Sequence, residues 1–162
     1  MIREGLIVND ITKVTGILNG TANYILSEME LNEKDFDEVL VDAQKKGYAE
    51  ADPSFDIDGI DAAHKLSILA AIAFGTEIQF DKIYTKGISN ISTEDILHAT
   101  ELGYTIKHLG IAKRAENGIE LRVHPTLVPN NKLIAQVDGV MNAVMVKSCL
   151  LYTSDAADDS QC

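Results

Sequence analysis

The apolar positions of this chain fall into a helical first half and a strand-like second half. Ile11-Thr-Lys-Val-Thr-Gly-Ile-Leu18 is rich in β-branched residues and predicts a strand, on composition more than on strict alternation, with Asn19-Gly20 closing it. Thr21 is expected to cap a helix carrying Tyr24, Ile25, Leu26 and Met29. Asn32 or Asp35 opens a second, with Phe36, Val39, Leu40 and Ala43 at three- and four-residue spacing and Gly47 as its stop. Residues 48–58 read as an acidic loop that Pro53 keeps out of helix. Asp58 then caps a third helix, with Asp61 at the capping-box position. From Leu66 to Phe74 this helix is apolar on nearly every side until Gly75, which predicts a buried helix.

Beyond Gly75 the pattern shortens. Ile83-Tyr84 and residues 88–91 are short strand candidates, and Ser92 or Thr93 opens a helix reaching Leu102. Residues 104–113 and 119–126 form two strands around the hairpin signal Glu116-Asn117-Gly118. Residues 130–137 predict a short helix and 141–146 a last strand. Helices first and hairpin strands later predict an α+β fold: a mixed β-sheet with helices packed on one face. Residues 1–148 read as one domain. Residues 149–162 lack periodicity and carry three acids and no base, so they are expected to form an unstructured tail.

Composition narrows the function classes. The 162 residues are 46% hydrophobic and 24% charged, as in a soluble globular chain. Fourteen Lys and Arg against 25 Asp and Glu give a net charge of −11, which opposes binding to nucleic acid or an anionic membrane. The short pair Lys45-Lys46 makes no basic patch to oppose this. No run approaches the roughly 18 apolar residues of a membrane span, and residues 1–5 lack the apolar run of a secretory signal, so the expected compartment is cytoplasmic. Cys149 and Cys162 have no disulfide or metal spacing, read as incidental thiols, and no metal site is expected.

The chemistry concentrates between residues 19 and 65. Asp61 and Lys65 stand one helical turn apart among Ile60, Ala63, Leu66 and Leu69, so they are either an ordinary surface ion pair or the lining of a cavity. Glu50, Asp52, Asp56, Asp58 and Asp61 are a solvated acidic loop, a weak divalent-cation cage, or a set of carboxylates that holds a substrate amine or hydroxyl while the lysine relays a proton. Asn19-Gly20-Thr21-Ala22-Asn23 is a helix cap or an anion-binding turn, and its spacing is neither a dinucleotide fingerprint nor a P-loop. His64 has no second ligand at metal spacing and reads as a core or rim imidazole. His98, His108 and His124 have no nucleophile nearby in sequence.

Four segments carry a resemblance to a known family: residues 16–26 (Gly-Ile-Leu-Asn-Gly-Thr-Ala-Asn-Tyr-Ile-Leu), residues 47–66 from Gly47-Tyr-Ala-Glu-Ala-Asp-Pro to Asp61-Ala-Ala-His-Lys-Leu, Arg122-Val-His-Pro-Thr-Leu-Val-Pro129, and Gly139-Val-Met-Asn-Ala-Val144. Together they resemble the catalytic domain of homoserine dehydrogenase. The resemblance implies an oxidoreductase that interconverts L-homoserine and L-aspartate 4-semialdehyde with NADP or NAD, in threonine and methionine biosynthesis. It implies Lys65 and Asp61 as catalytic residues, Lys65 beside the reacting alcohol or carbonyl. Glu50, Asp56, Thr21, Tyr48 and Gly47 would bind substrate, and Asn19, Gly20 and Thr21 would lie near the nicotinamide. A homodimer formed through the free face of the sheet is also implied. Two features depart from the family pattern: no Gly-rich nucleotide-binding half precedes the catalytic segment, and residues 147–162 do not match. The expected object is therefore a fragment, inactive by itself, with a non-catalytic structural or dimerisation role as the alternative.

Overall fold

In the computed structural model, which describes residues 10–148, one open five-stranded sheet carries the helices. Its strands are β1 (Ile11–Ile17), β2 (Tyr84–Thr85), β3 (Tyr104–Ala115), β4 (Gly118–Pro129) and β5 (Ala143–Ser148), in the order β2-β4-β3-β1-β5. All neighbours are antiparallel except β2 and β4, so the sheet is mixed as expected. The expected tail, 149–162, lies outside the described residues.

The helices are α1 (Gly20–Asn32), α2 (Phe36–Lys45), α3 (Ser54–Ile57), α4 (Ile60–Phe74) and α5 (Thr93–Glu101). Several local expectations are corrected. The residue before a proline is disfavoured in helix, but proline itself suits a helix start, and Pro53 opens the single turn of α3 inside the supposed loop. Asp58 does not cap α4. Gly59 does, in a left-handed conformation (φ 82°) that a side chain resists, and a Cβ there would stand 2.9 Å from Cε1 of His108. Residues 88–91 form no strand. Ile88 is instead a buried plug whose N–H donates to the Ile57 carbonyl. The helix expected at 130–137 is only a 3-10 turn, Leu133–Gln136, without a capping side-chain bond, and β5 lies two residues later than the predicted strand.

The strand register decides which face takes the helices. Pairing from Tyr104 with Pro129 to Ala115 with Gly118 puts Ile106, His108 and Ala112 on one face with Leu127, Pro125 and Leu121. On that face Ala62, Ala63, Leu66 and Ala70 of α4 pack against Val14, Leu18, Ala112 and Val123. Ile25, Leu26 and Met29 of α1 form a second cluster with Ile88, Ile96 and Ile106. The other face buries Ile17, Leu109 and Val128 under Ile134 and Ala135 of the 3-10 turn. The expectation that α4 is buried all round fails: Ile68 and Ile72 are about half exposed, because the sheet covers only one side of it.

His108 is buried at the centre of the helix-bearing face, and its Nε2 donates to the Lys86 carbonyl at 3.0 Å. Burial pushes its pKa below the ordinary 6.5; the Lys86 carbonyl opposes that shift and the nearby His124 adds to it. Below pH 6.5 the unfolded chain therefore binds a proton that the folded chain refuses. Stability is intact above 6.5 and falls as pH is lowered through that value toward the depressed folded one. Thermal melts from about pH 7.5 to about pH 5, above the carboxylate range, are expected to show this slope, and His108→Gln to reduce it. An unchanged slope in the variant would assign the effect to another group.

Candidate active site

Asn19 sits where β1 passes into α1. Its Oδ1 accepts from the N–H of Ala22 at 2.8 Å, so Asn19 is the helix cap and the expected cap, Thr21, is not. Thr21 is already inside the first turn, and its hydroxyl donates to the Tyr48 carbonyl at 2.8 Å. The Asn19 amide has a second role. Its Nδ2 donates to Asp56 Oδ1 at 2.7 Å and to Asp61 Oδ2 at 2.8 Å, joining the two carboxylates.

Asp61 lies in the first turn of α4, where the helix macrodipole favours a negative charge. Lys65, one turn on, donates from Nζ to Asp61 Oδ2 at 2.7 Å and to the Leu18 carbonyl at 3.1 Å. An ammonium has three donors, and these contacts engage two of them. The Lys65 side chain is 49% exposed, so as a stabilising pair the contact contributes at most about 1 kcal/mol. Its geometry matters more for placement: the Leu18 carbonyl and Asp61 together fix where the ammonium stands.

These groups line one cleft of about 420 Å³. Asn19, Gly20, Thr21, Gly47, Tyr48, Asp56, Asp61 and Lys65 all contribute to it, although they come from α1, the turn after α2, α3 and α4. Glu50 does not line it; its side chain is exposed, and its carbonyl accepts from Gln44 Nε2 at 3.0 Å. His64 lies outside as well, edge-on between Phe55 and Phe80. The structure adds Val140, from the loop before β5, which sequence reasoning missed. Its segment carried part of the family resemblance, but nothing in Gly139-Val-Met marks a wall around a site some 120 positions earlier in the chain.

Two carboxylates and one ammonium leave the cleft net negative, suited to a ligand that carries an amine and presents an oxygen to Lys65. A larger cleft, about 660 Å³, lies between α5 and β4. It gathers Lys86, His98, Arg122 and His124, but its one carboxylate, Asp95, is committed to the capping box with Ser92. The smaller cleft therefore holds the better chemistry. Among the described residues no group of three or more His, Cys, Asp or Glu could hold a metal ion, and no helix is long and apolar enough to cross a membrane.

Known proteins resemble this chain over most of its length. The family model described as homoserine dehydrogenase matches residues 1–154. The homoserine dehydrogenase of Pseudomonas aeruginosa is 63% identical over 145 residues, covering 90% of this chain and 33% of that protein. The crystal structure of a homoserine dehydrogenase from Thiobacillus denitrificans superposes with a TM-score of 0.90 at 64% identity, over 91% of this chain and 34% of that one. A hyperthermophilic archaeal homoserine dehydrogenase in complex with NADPH shares the fold, with a TM-score of 0.74 at 24% identity over 91% of this chain and 41% of that one. The chain spans about a third of the length of the curated relatives it matches.

Asn19 is the testable hinge of the site. Asn19→Ala removes the cap and both carboxylate contacts, and is expected to lower stability by about 1–2 kcal/mol in urea melts. Asn19→Asp keeps the cap acceptor but sets a third carboxylate against Asp56 and Asp61. Its instability is expected to lessen as pH falls toward 4–5, because a carboxyl held protonated by like charges stabilises the fold at low pH. A pH-independent loss in Asn19→Asp would refute the shared-carboxylate geometry.

Proposed function

The chain belongs to the homoserine dehydrogenase family, and from that premise we propose that it carries the substrate-handling part of a cytoplasmic NADP- or NAD-dependent oxidoreductase. The reaction is the interconversion of L-homoserine and L-aspartate 4-semialdehyde, in threonine and methionine biosynthesis. The observation that supports this reading best is the hydrogen-bonded series Asp56, Asn19, Asp61, Lys65 along one cleft.

In the reducing direction the Lys65 ammonium hydrogen-bonds the aldehyde oxygen and passes it a proton as the alkoxide forms; in oxidation the hydroxyl proton returns by the same route. Asp61 holds the ammonium in place and meets the substrate hydroxyl. Asp56 supplies negative charge for the substrate amine. Glu50, two residues past Tyr48, joins it when its exposed side chain turns inward. Thr21, Gly47 and Tyr48 wall the substrate side. The first N–H groups of α1, which have no partner within the helix, fit the carboxamide of a nicotinamide, so Asn19, Gly20 and Thr21 would border that end of the cofactor. When bound, the nicotinamide supplies the hydride donor or acceptor at the carbinol carbon.

A second reading, a module for pairing two copies through the sheet, draws on one observation: Met145 is exposed on the face opposite α4, and Leu133 on the 3-10 turn that covers it. The two readings are compatible. Sedimentation at micromolar concentration tests pairing, and a clean monomer counts against it.

Two outcomes test the catalytic reading. Lys65→Ala in the full-length enzyme containing this segment is expected to lower kcat by about 10²–10⁴, the usual worth of an acid–base group. A change confined to KM would make Lys65 a binding group only. The 162 residues alone contain no G-x-G-x-x-G or P-loop to hold the cofactor phosphates. With saturating cofactor and homoserine they are expected to give no reduced-nicotinamide absorbance above background, and turnover above it would reveal a nucleotide site of another kind.

A further inference from the structure

Lys107 lies on β3 with only 1% of its side chain exposed, on the sheet face opposite α4. Its Nζ donates to the Val137 carbonyl at 2.9 Å and to Asp138 Oδ1 at 2.8 Å. Taking an ammonium out of water is costly, and an apolar side chain between Thr105 and Leu109 would fill the space without that cost. What the charge provides is a grip on the loop that follows the 3-10 turn.

Residues on α1 hold the same loop from the other side. Asn23 Nδ2 lies 2.9, 2.9 and 3.3 Å from the carbonyls of Val137, Gly139 and Met141. Its Oδ1 is buried with no hydrogen-bond partner among the described residues, so the amide serves here as a donor alone. Ser27 Oγ accepts from the Gly139 N–H at 3.2 Å. With alternate carbonyls turned to Asn23, the Val140 carbonyl is left against Gly20, where a Cβ would come within 2.7 Å of it. Asn19, the cap of α1, and Asn23 and Ser27 within the helix recur every four positions. The first member binds Asp56 and Asp61, and the other two bind the loop that carries Val140 into the cleft.

We propose that Lys107 is a positioning residue: by anchoring residues 137–141 to the sheet, it sets the Val140 wall at a fixed distance from the acid pair and Lys65. The proposal rests on the cleft being the active site. Lys107 touches none of the residues that line the cleft through its own hydrogen bonds, so its effect passes through the loop.

The experiment compares Lys107→Met, Lys107→Arg and Asp138→Asn. Asp138 is 67% exposed, so its variant removes the negative charge that pairs with Lys107, leaving the bond to the Val137 carbonyl, without disturbing the core. In the 162-residue chain, amide exchange at residues 138–142 is expected to speed up by at least about tenfold in Lys107→Met and less in Asp138→Asn, with the β3–β4 ladder unchanged. In the full-length enzyme, Lys107→Met is expected to raise KM for homoserine by at least about tenfold with kcat altered by less than about threefold, and Lys107→Arg to recover most of it. Unaltered loop exchange and KM in both Lys107→Met and Asp138→Asn overturns the proposal. So does loss of protection across the whole hairpin that Arg does not rescue, since that is a core role only. Should Lys107→Met not fold, Asp138→Asn decides by the same two readouts. Full activity in Lys65→Ala would refute the proposed function instead, and the exchange result in the isolated chain stands apart from it.

Discussion

One side-chain amide links the architecture to the chemistry. Asn19 follows β1, caps α1 through Oδ1, and through Nδ2 draws together two carboxylates that are five residues apart in sequence and on different helices. A hydroxyl at this position could cap the helix but could not also donate two hydrogen bonds to acids. An aspartate could cap it but would repel them. Only the amide meets both demands, and the place of Asp61, and through it of Lys65, follows.

The second constraint is the depth of α4 in the fold. Its alanine-rich side and Leu66 sit on Val14, Leu18 and Ala112, which fixes the helix axis against β1 and β3. Lys65 adjoins that buried side, close enough for its ammonium to reach the Leu18 carbonyl just past β1 while its side chain stays half in water. The same register that seats α4 turns Lys107 to the opposite face, where it meets the loop returning to β5. One sheet thus ties down both the lysine of the cleft and the wall facing it.

Much of this was legible in advance. The hairpin was, because Asn117-Gly118 between β-branched runs leaves few alternatives, and so was α5, which Ser92 opens as one of the two expected caps. Asp61 and Lys65 stood out because an ion pair at helical spacing amid apolar residues is unusual. Local reading failed where two local rules competed. Thr21 and Asn19 are both good caps, and the choice fell to the one that could also reach Asp56 and Asp61. Pro53 signals both the end and the beginning of helices, and α3 used the second. Asp58 gave way to Gly59 because Asp58 closes α3 in a right-handed helical conformation, and the left-handed residue that starts α4 falls to the glycine.

The sequence by itself determined the long helices and the hairpin, the α+β class, the family, and which polar residues are chemically able to serve a site, since propensity, periodicity and residue chemistry are local properties. The tertiary structure alone decided which of them meet. It gathered Asn19, Asp56, Asp61 and Lys65 from separate elements, left Glu50 in solvent, brought Val140 in from the far end of the chain, and buried Lys107 beneath the loop that carries it. Those outcomes depend on strand register and on the packing of α1 and α4 against the sheet, and a one-residue slip would send every side chain to the opposite face.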